Sequence, residues 1–132
     1  MKNLPKKTHI ILYVQDQEKS KVFYIKVLGL TPTLDVAGMT EFQIGKSTIL
    51  GLMPEKGIKQ LLGAKLPPIE KAHGIPRTEL YLIVDKPQDY HSRALESGAL
   101  ELSPLCKQDW GHRAAYSLDP DGHVLAFAEE LL

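Results

Sequence analysis

Thr8-His9-Ile10-Ile11-Leu12-Tyr13-Val14 is a run of β-branched, aromatic and aliphatic residues that opens on Thr and a polar residue and closes on Val. Seventy positions later the pattern returns as Thr78-Glu79-Leu80-Tyr81-Leu82-Ile83-Val84. Residues of these types suit a pleated strand, and alternation along a strand separates its two faces. Ile10, Leu12 and Val14 form one aliphatic set, as do Leu80, Leu82 and Val84, and these predict the sides that pack on a helix. His9, Ile11 and Tyr13 in the first run, with Glu79, Tyr81 and Ile83 in the second, are left for an open side.

A helix is predicted after each run. Asp16 is placed to cap the first. Ser20, Phe23, Tyr24, Val27 and Leu28 then recur at helical spacing, and Gly29 supplies a left-handed stop. In the second helix Pro87 suits the first turn, Tyr90, Ala94 and Leu95 give a shorter apolar stripe, and Gly98 ends it. His91 reads as a surface residue of this helix. Extended segments then end in hairpins: 41–44 turns at Gly45-Lys46 into 48–53, and 113–118 turns at Asp119-Pro120-Asp121-Gly122 into 123–128. The order β-α-β-β-β thus occurs twice, which points to a duplicated module. Module one spans 6–53 and module two 77–132. Residues 54–76, interrupted by glycines and prolines, read as a linker with at most a helical turn or two around 59–64.

Bulk composition narrows the function. A chain of 132 residues, 43% hydrophobic, has enough apolar material for one domain with its own core. Sixteen basic side chains balance sixteen acidic ones, so no long-range field draws in nucleic acid or an anionic membrane, and a small-molecule partner is expected. Cys106 is the single cysteine, which excludes an internal disulfide and fits a reducing, cytoplasmic setting. Residues 1–7 are basic, but the apolar run behind them, 10–14, is too short for a signal peptide or a membrane span.

Turn chemistry predicts the register. Asp-Pro-Asp-Gly suits a type I turn with Gly122 in a left-handed bulge position, which sets Asp119 opposite His123. Tyr116 then faces Ala126 and Ala114 faces Ala128, while Ser117 with Leu125 and Ala115 with Phe127 turn to the helix. Taking Gly45-Lys46 as a two-residue turn sets Phe42 opposite Ile49 and Thr40 opposite Gly51. The open face then collects His9, Ile11, Tyr13, Phe42, Ile49, Gly51, Met53, Glu79, Tyr81, Tyr116, Ala126 and Ala128. Mixed aromatic, aliphatic and small residues of this kind line small-molecule pockets.

His9-Ile10, Asp16 and Ser20 ahead of Phe23-Tyr24, Val27-Leu28-Gly29-Leu30, Trp110-Gly111-x-Arg113 and Asp119-Pro120-Asp121-Gly122-His123 form an ordered set running through nearly the whole chain. In this set the chain resembles the vicinal oxygen chelate superfamily, which joins glyoxalases, bleomycin-resistance proteins and extradiol dioxygenases. The resemblance implies an α+β fold in which two βαβββ modules form a curved, cup-shaped mixed β-sheet with helices on the outer face. It also implies metal ligands on the first and last strands of each module, at positions matching His9, Gly51, Glu79 and Ala126. Gly51 and Ala126 carry no donor atom, and a firmly held divalent ion usually needs three protein ligands.

Three functions follow from this pattern. In the leading one, a cytoplasmic glyoxalase/bleomycin-resistance-like protein binds a small, partly apolar molecule in its cup through Tyr13, Phe42, Ile49, Met53, Tyr81, Trp110, Arg113 and Tyr116, with no tightly held metal. In the second, a lyase, isomerase or dioxygenase holds Zn, Ni, Mn or Fe through His9 and Glu79, with water and substrate completing the shell. The third is a non-catalytic dimeric scaffold whose cup is filled by its own side chains. Glu79 in an enclosed apolar cup would need His9, Arg113 or a ligand cation as partner, and left alone there it becomes a candidate general base. The plainer alternative for His9 is a structural bond to a neighbouring strand or to Glu79. Trp110 reads either as part of a loop closing over the cup mouth or as a plug at the end of the domain. The resemblance also implies a homodimer, in some relatives with modules exchanged between chains.

Overall fold

In the computed structural model, which describes residues 3–131, both repeated runs are strands that open a four-stranded mixed sheet. The elements follow as β1 (Thr8–Val14), α1 (Gln17–Leu28), β2 (Leu34–Val36), β3 (Met39–Gly45), β4 (Thr48–Pro54), α2 (Glu55–Leu62), β5 (Glu79–Ile83), α3 (Pro87–Glu96), β6 (Leu100–Lys107), β7 (His112–Leu118) and β8 (Val124–Glu130). The chain is α+β and contains two βαβββ modules. It divides into two compact units, the first reaching Pro68 and the second starting at Ile69 and taking in Lys26–Leu28 from the end of α1.

The first sheet has the order β1-β4-β3-β2, with β1 parallel to β4 and the remaining pairs antiparallel. Leu12, Val14, Phe42, Leu50 and Leu52 are buried on the face that the aliphatic set of β1 defines. Each such side chain stabilises by roughly 1.5–3 kcal/mol on leaving water. Helix α1 starts where the sequence predicts: the Asp16 carboxylate accepts from the Lys19 amide at 3.0 Å, and Gly29 adopts φ 68° behind the last turn. Ser20, Phe23 and Tyr24 are buried along it. A clasp then fixes β2 and β3 near its start. Gln17 donates to the Val36 carbonyl at 2.8 Å and to Thr40 Oγ1 at 2.9 Å, and accepts from the Gly38 amide at 3.0 Å.

The second sheet repeats the plan as β5-β8-β7-β6, with β5 parallel to β8. The Asp119-to-Gly122 turn has the predicted form. Asp119 Oδ1 accepts from the Asp121 and His123 amides at 2.9 Å each, and Gly122 adopts φ 89°. Leu80, Ala115, Ser117, Leu125 and Phe127 are buried on the helix side, with Ala94 and His91 of α3. Within this unit Arg93 lies 4.5 Å over the Tyr90 ring and donates to the Val27 carbonyl at 3.0 and 3.2 Å.

Three expectations are corrected. His91 is a buried residue of α3, only 1% exposed; it bonds Glu101 at 2.9 Å and takes the stripe place expected of Leu95. Helix α2, about two turns long, begins at Glu55, four residues earlier than expected, because Glu, Lys, Gln and Leu favour helix by more than Gly57 opposes it, and Ile58 gains burial. In the first hairpin the turn residues are Lys46 and Ser47, and a bulge between Gln43 and Gly45 shifts the ladder by one residue. Glu41, not Thr40, is therefore opposite Gly51, and Phe42 is opposite Leu50. A slip of one residue moves every side chain to the other face.

Candidate functional site

The second sheet assembles the denser group of chemical side chains. On its open face Tyr81, Ala126 and Tyr116 lie in one row across β5, β8 and β7, with Ser103 of β6 beyond them. The next row is Ile83, Ala128, Ala114 and Cys106. Adjacent strands are about 4.8 Å apart, so the two tyrosines rise from either side of an alanine floor with backbones about 10 Å apart. Tyr81 leans along that floor. Its hydroxyl meets His112 Nδ1 at 2.7 Å, which carries the side chain from β5 across β8 to β7. The Trp110 indole N–H donates to the same hydroxyl at 2.9 Å, and the Tyr81 and His112 rings lie 5.6 Å apart, tilted by 32°. Alanine at 126 and 128 suits this path, since a larger residue on β8 would obstruct the ring.

Tyr116 is half-buried, and burial is the first cause that pushes its phenol above the ordinary tyrosine range. The negative charges of Glu79, Tyr81 and Cys106 act in the same direction, which places these groups around it on one face. Glu79 itself is exposed to solvent. The enclosed setting on which its need for a counter-charge, and its role as general base, depended is absent. Trp110 is 53% exposed, so it does not plug the domain end. Arg113 is corrected: it pairs with Glu129, at 3.4 Å between side chains, and lies on the same side as Ala115 and Ser117. His112, one residue earlier, takes the open side instead.

In the first unit His9 pairs with Ile49, Ile11 with Gly51 and Tyr13 with Met53, all on the open face. Ile49 is nevertheless buried, at 3% exposure. His9 Nδ1 lies 3.5 Å from Glu41 Oε2 on β3, two strands away. This is the plainer, structural alternative for His9, realised with an acid that the assumed turn had turned to the other face. Phe42 is corrected as a ligand-lining residue, being fully buried on the helix side. A side chain at Gly51 would start 3.1 Å from Met39 Sδ and 3.3 Å from Ile11 Cγ1, so the space is taken by apolar neighbours.

The metal-ligand positions implied by the resemblance do not fit a firmly held divalent ion. Gly51 and Ala126 provide no donor, His9 is engaged by Glu41, and among the described residues no three His, Cys, Asp or Glu side chains converge. Sequence reasoning missed Glu41, and placed His112 with Trp110 and Arg113 in a loop at the cup mouth, whereas it is the first residue of β7. The first was recoverable only from the bulge. The second carried a signal in its odd–even parity with Tyr116. No helix among the described residues is long and apolar enough to cross a membrane.

Comparison with known proteins matches the family model of the glyoxalase-like domain to residues 7–132. A glyoxalase/bleomycin resistance protein/dioxygenase from Nocardioides is 22% identical with a TM-score of 0.76, over 99% of this chain and 87% of its own. A glyoxalase-related enzyme from Fulvimarina pelagi is 21% identical with a TM-score of 0.80, over 96% and 89%. A glyoxalase/bleomycin resistance protein/dioxygenase family enzyme from Burkholderia phytofirmans PsJN is 15% identical with a TM-score of 0.77, over 93% and 97%. At these identities the likeness is one of fold, and no curated protein matches the chain. With a family match over nearly the full length and two βαβββ modules, the chain belongs to the glyoxalase-like domain family of the vicinal oxygen chelate superfamily.

Proposed function

We propose that this protein binds a small, partly apolar molecule against the open faces of its sheets, in the manner of the bleomycin-resistance branch, without a tightly held metal. The observation that carries the reading is the open face of the second sheet. Two phenols flank Ala126, an alanine floor continues through Ala128 and Ala114, and Trp110 and His112 supply polar atoms at one end. The alanine floor is itself fully buried, so a flat apolar body rests on the partly exposed Tyr81 and Tyr116 rings that cover it, and the few polar atoms orient it. Tyr13 and Met53, with Ile11, give the first sheet a similar apolar face. The exposed, free Cys106 suits a reducing cytoplasm. The homodimer implied by the family is part of the proposal, and sedimentation of untagged protein reads it.

Metal analysis of protein purified without a polyhistidine tag is the first test. Less than a tenth of an equivalent is expected. A near-stoichiometric metal lost in both His9→Ala and Glu79→Ala overturns the metal-free reading in favour of the metal-dependent lyase, isomerase or dioxygenase. A thermal-shift screen with aromatic and amphipathic compounds comes next. A ligand at a hundred times its Kd stabilises by about 2.7 kcal/mol, a rise of several degrees in Tm. Trp110 is the only tryptophan, so its fluorescence reports binding at this face directly. Absence of any stabilising compound favours the self-filled scaffold, with Tyr81 as the filling.

A further inference from the structure

We propose that Tyr81 is a specificity-determining hydrogen-bond donor for the carbonyl oxygen of a neutral aromatic ligand, and that a proton on His112 is what frees its hydroxyl for that ligand. The inference rests on the small-molecule reading of the same face and adds the chemical class of the ligand and its dependence on pH.

The Tyr81 oxygen has one hydrogen and two lone pairs to distribute. One lone pair is taken whatever the charge of His112, because the Trp110 indole N–H can only donate and lies 2.9 Å away. The second contact, to His112 Nδ1 at 2.7 Å, changes direction with the imidazole proton. While His112 is neutral, a contact this short has the length of a hydroxyl-donated bond, so Tyr81 directs its hydrogen at Nδ1. Once His112 is protonated, both ring nitrogens are donors. The Tyr81 oxygen then accepts from Trp110 and His112 together. Both lone pairs are filled, and the hydroxyl hydrogen is left for a third partner that accepts. Tyr81 and His112 are only half-buried, so that partner can come from a molecule resting on the tyrosine rings.

The surroundings select a neutral acceptor over an anion. Glu130 of β8 is directly opposite His112, and Glu79 of β5 lies on the same face. Lys107 and Asp109 flank the β6–β7 turn, and Arg113 follows His112 with its side chain turned to Glu129. Cys106 of β6 and Tyr116 of β7 stand further along the open face. Among the paired residues of these four strands no lysine or arginine falls on the open side, so a carboxylate or phosphate would meet like charge from the two glutamates. A carbonyl oxygen accepts without carrying charge. Tyr81 is the group that touches the ligand. His112 acts through it, and Trp110 holds the hydroxyl in place in both states.

Acetophenone and isopropylbenzene test this, since they share one shape, neither ionises, and only the ketone has an acceptor. Trp110 is the only tryptophan, so a single indole N–H resonance follows the titration of each. Acetophenone is expected to bind more tightly at about pH 5.5 than at about pH 8, on either side of the ordinary imidazole transition, by about threefold or more, the size of one modest hydrogen bond. Isopropylbenzene should bind equally at both. Tyr81→Phe and His112→Gln should each lose the response of acetophenone to pH, and Glu130→Gln and Cys106→Ser should keep it; an unchanged Tm checks that each variant is folded. Imidazole 15N spectra give a reading without any ligand, in which Nδ1 of neutral His112 should carry no hydrogen. The assignment is overturned by an Nδ1–H in the neutral form, by no gain for acetophenone at the lower pH, by an equal gain for isopropylbenzene, or by a gain that survives in Tyr81→Phe or His112→Gln or disappears in Glu130→Gln or Cys106→Ser. If neither probe binds while the wider compound screen finds ligands, the carbonyl donor is wrong and the small-molecule face stands. If the screen is silent as well, both readings fall.

Discussion

Gly51 and Gly122 are both buried glycines, yet they should respond differently to a methyl group. At Gly51 the backbone is one that any residue adopts, and the nearest atoms are Met39 Sδ and Ile11 Cγ1, the movable ends of side chains. At Gly122 φ is 89°, and an added Cβ would sit 3.2 Å from the Cα of Gly74, which is backbone and cannot swing aside. Gly51→Ala is therefore expected within about 1 kcal/mol of wild type, and Gly122→Ala to cost about 1–3 kcal/mol. Urea unfolding midpoints measure both; equal losses would contradict the argument. Tyr116 offers a second test. Its phenol is raised in the folded chain, so the unfolded state ionises first as pH climbs. The stability it contributes is complete below the ordinary tyrosine value of about 10 and is lost as pH rises through the folded value. Phenolate difference spectra should lose one late-titrating component in Tyr116→Phe, and that variant should lose less stability than wild type on the alkaline limb.

Helix α1 and β2 are joined by Lys21 and Asp35, 2.9 Å apart. Lys21 donates first to Glu18 and then to Asp35, and its ammonium is held above the ordinary lysine range by both. The Asp35 carboxyl is held below its usual range, first by Lys21 and then by the Thr40 hydroxyl. Because its folded value is depressed, the stabilisation by Asp35 is present above about pH 4 and disappears as pH falls through the folded value. Asp35→Asn should remove that part of the acid-limb slope in a pH series of urea midpoints; an unchanged slope would mean that the contact is too well solvated to matter. The hairpins show how far an element can be read from its residues. Asp119 and Gly122 select their turn through local bonds and a positive φ, so counting outward from them put Tyr116 opposite Ala126 correctly. At the first hairpin the comparable contact comes from the Gln43 amide, which donates to the Gly45 and Lys46 carbonyls. The turn formed one residue later, the strand absorbed the difference as a bulge, and Glu41 took the open position that Thr40 was expected to hold. The bulge inserts one unpaired residue, Ile44, into β3, and the strand bends there.

The whole molecule carries equal numbers of acidic and basic side chains and a sequence pI of about 7.0. Solubility at low ionic strength should be lowest near pH 7 and improve towards either side, which precipitation by polyethylene glycol across a pH series would show. A minimum displaced by two pH units would reveal a charge state altered by bound ions. At this scale the duplication was legible from residues alone. The two strand runs, the Asp16 cap, the Gly29 stop and the Asp119 turn are short-range signals, and together they determined an α+β chain of two βαβββ modules and its family. The missing donors at Gly51 and Ala126 were equally plain, since a residue without a side-chain donor lacks one in any fold. What only tertiary structure decided was which side chains meet. Glu41 under His9, His91 inside its helix face and the Tyr81 hydroxyl between Trp110 and His112 all depend on strand order and register. Those are properties of pairing between segments up to 31 residues apart in the last case, and short-range preferences carry no record of them.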